Sequence, residues 1–157
     1  MTSETTATRV FDSIEDFRAA QGQLLGVGDW MQITQERIDA FADVTEDWQW
    51  IHVDPVKAAQ GPYRDPIAHG YLTLSLIPVL GGRIFRVDGA RMAINYGTNK
   101  VRFPHPVTVG ARIRAAATLA SVEDVNAGVQ AVVRYTIEIE GQAKPACIAE
   151  TVRVLIP

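Results

Sequence analysis

Apolar and polar positions change period along this chain, from helical spacing in the first half to strict alternation in the second. Ser13 reads as the N-cap of a short helix running to about Gln21. Gly26-Val27-Gly28 predicts a turn into a strand near Trp30–Ile33. Thr34 reads as a further N-cap, and Ile38, Phe41, Ala42 and Thr45 follow at the spacing of one inner helix face that ends just before Asp47. From Ala68 to Leu80 the residues are apolar or small on nearly every side, which predicts a helix surrounded by protein and ended by Gly81-Gly82. After Ala90 the period becomes two. Ile113, Ala115, Ala117 and Leu119 alternate with Arg112, Arg114 and Thr118, and Val133, Tyr135, Ile137 and Ile139 alternate with Arg134, Thr136 and Glu138. Asn126-Ala127-Gly128 and Gly141-Gln142 predict turns between antiparallel neighbours, followed by a last strand from about Ala146 to Leu155. A curved antiparallel sheet wrapped around one buried helix is the economical α+β architecture for this pattern.

Between the two regimes lies the densest chemistry. Helical periodicity fades after Val44, and Pro55 pushes Asp54 out of helical geometry, so Asp47 to Pro55 reads as a loop. A loop can turn Asp47 and His52 toward one pocket. Aspartate and histidine are the pair needed to hold a water molecule and move its protons near neutral pH, since histidine titrates at about 6.5 unperturbed. An isolated pair of this kind usually reports a turn residue and a surface imidazole. Its combination with Ala68-His69-Gly70 at the head of the predicted buried helix favours a functional reading.

Composition narrows the classes. At 157 residues the chain reads as one domain, 1–157, long enough to bury a core. A net charge of -3 argues against a general nucleic-acid binder, whose attraction to phosphate needs a basic face. Cys147 is the single cysteine, which excludes an intramolecular disulfide and a cysteine-cluster metal site and makes a reducing cytoplasm the simplest location. Its position in a predicted strand marks it as a small core residue rather than a nucleophile. Met1 to Thr8 is polar without an apolar core of its own, so residues 1–10 read as a flexible end rather than a signal peptide. Tyr71 to Leu80 is too short, and too interrupted by Thr73, Ser75 and Pro78, to span a membrane. No Gly-x-Ser-x-Gly, P-loop or metal-ligand motif is present.

Asp47, Gln49 and His52, together with Pro66-Ile67-Ala68-His69-Gly70-Tyr71-Leu72-Thr73-Leu74-Ser75-Leu76 and the later Asn99-Lys100-Val101-Arg102-Phe103-Pro104-His105-Pro106-Val107, resemble the MaoC-like dehydratases and R-specific enoyl-CoA hydratases. Trp48-Gln49-Trp50 is similar to the branch of nodulation protein N. The resemblance runs from about Asp29 onward and implies a hotdog fold and a homodimer. Three positions depart from the commoner motif. Glu46 stands where it has glycine, Gln49 where it has asparagine, and Trp50 where it has proline. Glutamine keeps the amide donor and acceptor with a longer reach, while Trp50 bears on the acyl pocket and hence on substrate length.

What the resemblance implies is reversible hydration of a trans-2-enoyl-CoA to an R-3-hydroxyacyl-CoA, with coenzyme A as part of the substrate and no separate cofactor or metal. His52 is the expected base and Asp47 orients the water and supplies acid, although the two can titrate as one coupled pair. The Gly70 N–H, at a helix start, would meet charge on the thioester oxygen. Gln49, Trp50 and His69 are candidate substrate contacts, and Arg64, Lys100 and Arg102 candidate partners of the coenzyme A phosphates. Trp48 and Trp50 equally suit an acyl tunnel or a loop anchor. Each basic side chain taken singly is commonly a solvated surface charge, and His69 commonly a structural hydrogen-bonding residue. His105, between prolines, reads as a loop residue, while Thr73 and Ser75 either add polarity to a pocket or bond their own helix. Two other readings stay open. A hotdog thioesterase would share the fold and substrate class but usually relies on a carboxylate without this pairing, and a non-catalytic acyl-thioester binder would have drifted at Glu46, Gln49 and Trp50.

Overall fold

The computed structural model describes residues 4–157. In chain order its elements are β1 (Arg9–Phe11), α1 (Ile14–Ala19), β2 (Leu24–Val27), β3 (Met31–Gln32), α2 (Gln35–Thr45), α3 (Trp50–Val53), α4 (Pro55–Ala58), α5 (Gly70–Ser75), α6 (Ile77–Gly81), β4 (Phe85–Val87), β5 (Met92–Arg102), β6 (Arg112–Val125), β7 (Gly128–Ile139) and β8 (Cys147–Ile156). The main sheet is antiparallel in the order β2-β6-β7-β8-β5, with β3 also paired to β6, while β1 and β4 form a small parallel pair.

Alternation delivers this sheet as expected. The inward row Ile113, Ala115, Ala117 and Leu119 lies against Val133, Tyr135 and Ile137 across the β6–β7 ladder, and all are buried. Leu72, Leu76, Ile77 and Leu80 of α5 and α6 join the same core. Asn126 and Ala127 close the β6–β7 hairpin, where Val125 pairs with Gly128. Gly141 sits at φ 78°, a left-handed turn position open to glycine.

Both predicted caps form. Ser13 Oγ accepts from the Asp16 N–H and Thr34 Oγ1 from the Arg37 N–H. Ile38 and Ala42 are buried on α2 as its spacing requires and Phe41 is half-buried, but Thr45 is exposed and bonds back to the Phe41 carbonyl at 2.7 Å.

Five expectations change. Residues 47–55 are not a plain loop, because Trp50–Val53 winds one helical turn and Asp54 then caps α4 by accepting from the Lys57 N–H. Pro55 ends the first turn as expected, yet also opens the next one, since proline suits the first helical position. The buried helix is two helices meeting at Leu76: Pro78 has no N–H to continue the backbone ladder. It is also not covered all round, since Tyr71, Ser75, Pro78 and Val79 are exposed. Gly26-Val27, read as a turn, is strand paired with Ala117 and Ala116. Finally, the N-terminal segment expected to be flexible is bound from Thr6 onward. The Thr6 N–H donates to Val27 O at 2.9 Å, Thr8 Oγ1 donates to Arg83 O at 2.7 Å, and Arg9–Phe11 is a strand. Residues 1–3 of that segment lie outside the described residues. Among the described residues no helix is long and apolar enough to cross a membrane.

Candidate active site

The site forms where α2 ends, α3 begins and the extended run into α5 crosses both. Helix α2 stops in a left-handed turn at Glu46 (φ 59°, ψ 28°), and the Asp47 N–H reaches back to the Ala42 carbonyl at 3.1 Å. A glycine, the residue of the motif that this segment resembles, would enter the left-handed region here without a steric penalty. Asp47 emerges with its side chain 51% exposed. Five residues on, α3 presents His52 inward, and Gln35 Nε2 donates to the His52 carbonyl at 2.8 Å, tying α3 to α2. The Ile67 N–H donates to Ile51 O at 3.0 Å and the Ala68 N–H to Val107 O at 2.8 Å, which fixes the strand-like run from Ile67 to His69 beneath α3.

Three polar side chains that the sequence singled out converge there. One nitrogen or oxygen from each of Asp47, His52 and His69 lies within 4.8 Å of those of the other two. The imidazoles of His52 and His69 stack with centroids 3.8 Å apart and planes 23° from parallel, and Phe41 lies 5.0 Å from the His69 ring. Both histidines are buried. His52 Nδ1 is 2.6 Å from Ile67 O. A carbonyl only accepts, so Nδ1 carries the proton and Nε2 is left as a lone-pair base. Burial pushes His52 below the ordinary histidine value. The cationic form of His69 would act in the same direction, while the bond to Ile67 O and the Asp47 carboxylate oppose the shift. An unprotonated imidazole beside a half-exposed carboxylate can take a proton from a water molecule near neutral pH. Two histidines share a metal ion when their in-plane lone pairs meet at one point. Stacked rings hold theirs in nearly parallel planes, a geometry that favours proton transfer over metal ligation.

Gly70 opens α5, so its N–H belongs to the first turn, where such groups lack an intrahelical partner. It lines a pocket of about 240 Å³ with Ala68, Thr73, Phe103, His105 and Tyr63. A β-carbon on Gly70 would lie 3.0 Å from the Phe103 ring, so the aromatic face sits directly over this position.

The remaining candidates are dispersed. Gln49 caps α3 without a side-chain bond and is exposed, its N–H 3.4 Å from Asp47 Oδ1. Trp50 packs on Gly61 and under Lys57 Nζ, 5.0 Å from its ring, and Trp48 Nε1 donates to Asp43 Oδ1 at 2.8 Å; both anchor the segment. His69 is 3% exposed and turned to Asp47, which makes it a support rather than a surface contact. Arg64, Lys100 and Arg102 are exposed and outside the pocket lining, although Arg64 and Arg102 each adjoin a residue within it, Tyr63 and Phe103. Ser75 bonds the Tyr71 carbonyl at 2.6 Å, whereas Thr73 faces the pocket. Cys147 is fully buried and its thiol is pushed up to about 11, an unreactive core residue. Tyr63, Phe103 and His105 as pocket walls escape local sequence reasoning. Tyr63 comes from a segment remote in the chain from Phe103 and His105, and no periodicity links the two.

A MaoC like domain model matches residues 16–142. The chain is 54% identical over 145 residues, 92% of its own length and 96% of the other's, to 3-hydroxyacyl-thioester dehydratase Z of Mycobacterium tuberculosis. It is 40% identical over 147 residues, 90% of each chain, to nodulation protein N of Rhizobium meliloti. Among solved structures, the (R)-hydratase from A. caviae involved in PHA biosynthesis superimposes with a TM-score of 0.68 at 27% identity, over 83% of this chain and 96% of that one.

Proposed function

The chain belongs to the MaoC-like dehydratase family, with its hotdog fold, and from that premise we propose that it is an R-specific enoyl-CoA hydratase, a hydro-lyase interconverting trans-2-enoyl-CoA and R-3-hydroxyacyl-CoA. The observation that carries this reading is the convergence of the Asp47 carboxylate with the His52 and His69 imidazoles, within 4.8 Å of one another, His52 being left with its lone pair on Nε2 and His69 leading directly into Gly70 at the start of α5.

In the hydration direction Asp47 orients one water. His52 Nε2 takes a proton from it as the oxygen bonds to C3 of the enoyl group. The electron pair of the C2–C3 double bond moves onto the thioester oxygen, where the Gly70 N–H donates to the growing charge. A proton then goes to C2, through Asp47 or from His52 itself, so the site regains its starting protonation and the substrate has gained one water. Dehydration is the same path reversed.

Arg64, Lys100 and Arg102 supply exposed positive charge for the coenzyme A phosphates, and Gln49 an amide near Asp47. No group beyond the substrate's own coenzyme A is required. A homodimer is supported by β5, an edge strand exposed over nearly its whole length, and by the uncovered face of α5 and α6 bearing Tyr71 and Val79. A cytoplasmic setting suits a chain whose single cysteine is a buried thiol.

The test is the loss of enoyl-thioester absorbance when purified protein meets crotonyl-CoA and a longer enoyl-CoA, beside Asp47→Ala and His52→Ala. Loss without thiol release, abolished in both folded variants, is expected. Thiol release would point to a thioesterase. A folded protein that binds the thioester without changing it would point to a binding role.

A further inference from the structure

We propose that His69 is a positioning residue of this site, holding Asp47 and His52 in register through one hydrogen bond and one ring stack. The inference rests on the hydration reading and assigns a further residue to it. His69 Nε2 lies 3.0 Å from the Asp47 main-chain carbonyl. Since that oxygen only accepts, Nε2 carries the proton and Nδ1 the lone pair. The Asp47 residue is thereby gripped at both ends: its N–H by Ala42 O at 3.1 Å and its C=O by His69. With both held, the direction in which its side chain leaves the backbone is set, and Oδ2 stands 3.9 Å from the same His69 nitrogen.

The ring does the second part. Phe41 and His52 both pack against it, at 5.0 and 3.8 Å, so His69 has little freedom to turn. Its Nδ1 is buried with no hydrogen-bond partner among the described residues. The ionisable groups that face His69 are Asp47, from the turn after α2, and His52, from α3. Helix α2 itself contributes the uncharged Phe41, and the sequence of α5 is free of charged residues. Burial lowers His52, which keeps its Nε2 available as a base.

The test compares His69→Phe, which retains a ring in the stack but no donor and no charge, with His69→Gln, which retains an N–H donor without the ring. The readouts are the nitrogen-NMR titration of the His52 imidazole, kcat and KM for crotonyl-CoA, and the pH profile. In His69→Phe the Asp47 carbonyl loses its grip and kcat falls by about 10²-fold, the scale of a catalytic group displaced by an ångström, with KM little changed. His69→Gln recovers roughly tenfold of that loss, the worth of one restored hydrogen bond. In His69→Phe the displaced Asp47 carboxylate no longer opposes the effect of burial, so the His52 midpoint moves downward and the acid limb of the rate profile moves with it. A folded His69→Phe with wild-type kcat and an unmoved His52 midpoint would overturn the proposal. Should that variant lose its cooperative melt, His69→Gln decides alone: a kcat lowered about tenfold with KM little changed supports the proposal, and a wild-type kcat refutes it. If the wild type hydrates no enoyl thioester, the hydration reading falls by itself, while the His52 midpoint still reports whether His69 controls the pair.

Discussion

Replacing Gly70 separates turnover from folding. The backbone there needs no positive φ, so alanine or valine introduces no strain of the left-handed kind. An added β-carbon would stand 3.0–3.1 Å from three atoms of the Phe103 ring, about half an ångström inside comfortable contact. Phe103 is 43% exposed at the end of the edge strand, so the ring can swing outward rather than resist. Against this small penalty stands the gain from removing glycine at a helix start, up to about 0.5–1 kcal/mol. Gly70→Ala should therefore alter stability by less than about 1 kcal/mol, a melting shift of roughly 2–4 °C for a chain of this size. The same carbon and the displaced ring intrude on the pocket lined by Gly70, where the proposed reading has the thioester approach its N–H. Losing one such donor costs about 10²–10³ in kcat. Gly70→Val carries two more carbons into the same space and should reach the lower end of activity, while still melting cooperatively. Paired thermal melts and initial rates on crotonyl-CoA would check the separation. A folded Gly70→Val with wild-type kcat would refute both the amide's role and this placement of the substrate.

Glu46 occupies the left-handed turn before Asp47, where a side chain costs roughly 1–2 kcal/mol, partly offset because glycine has more freedom to lose on folding. Glu46→Gly should raise stability by up to about 1 kcal/mol in denaturant titrations without lowering kcat. His52 has a folded-state pKa below its unfolded value of about 6.5, so the unfolded chain binds the extra proton. The stability it contributes is therefore complete above about pH 6.5 and declines as pH falls through that value toward the lower folded one. His52→Gln should flatten that part of the wild-type stability curve measured by chemical unfolding. Gly81 packs on Tyr135, with a β-carbon falling 2.6 Å from Cε1 and 2.9 Å from the hydroxyl oxygen. Because Tyr135 is fully buried and cannot retreat, Gly81→Ala should cost about 1–3 kcal/mol, seen as a lower melting temperature with the pH profile unchanged.

The strands β6, β7 and β8 were legible because each has one buried and one wetter face, so its period appears directly in the residue types. Strand β5, although it lies in the region after Ala90 read as alternating, left no such trace of its own, and the alternation begins in fact at β6. Strand β5 is exposed on both faces, and without burial nothing forces its residues to alternate. Helix caps at Ser13 and Thr34 were equally readable, since one short polar side chain three residues from its donor is a local matter. The break at Leu76 was not, because the apolar run continues through Pro78 and composition alone registers burial better than backbone continuity.

The sequence by itself determined the chemistry on offer: an aspartate, a histidine five residues later and a glycine at a helix start, in a chain whose alternation demands a sheet around an apolar helix. Those are properties of residue types and short spacings, which the chain carries in any conformation. Tertiary structure decided which of them meet. It set the His69 ring on His52, gave the Asp47 carbonyl its donor and assigned the lone pair of His52 to Nε2 through a carbonyl fifteen residues away. It also turned Trp48 and Trp50 into anchors and brought Phe103 over Gly70 from another part of the chain. Contacts of that kind depend on how separate elements pack in three dimensions, and spacing along the sequence carries no record of a distance across the fold.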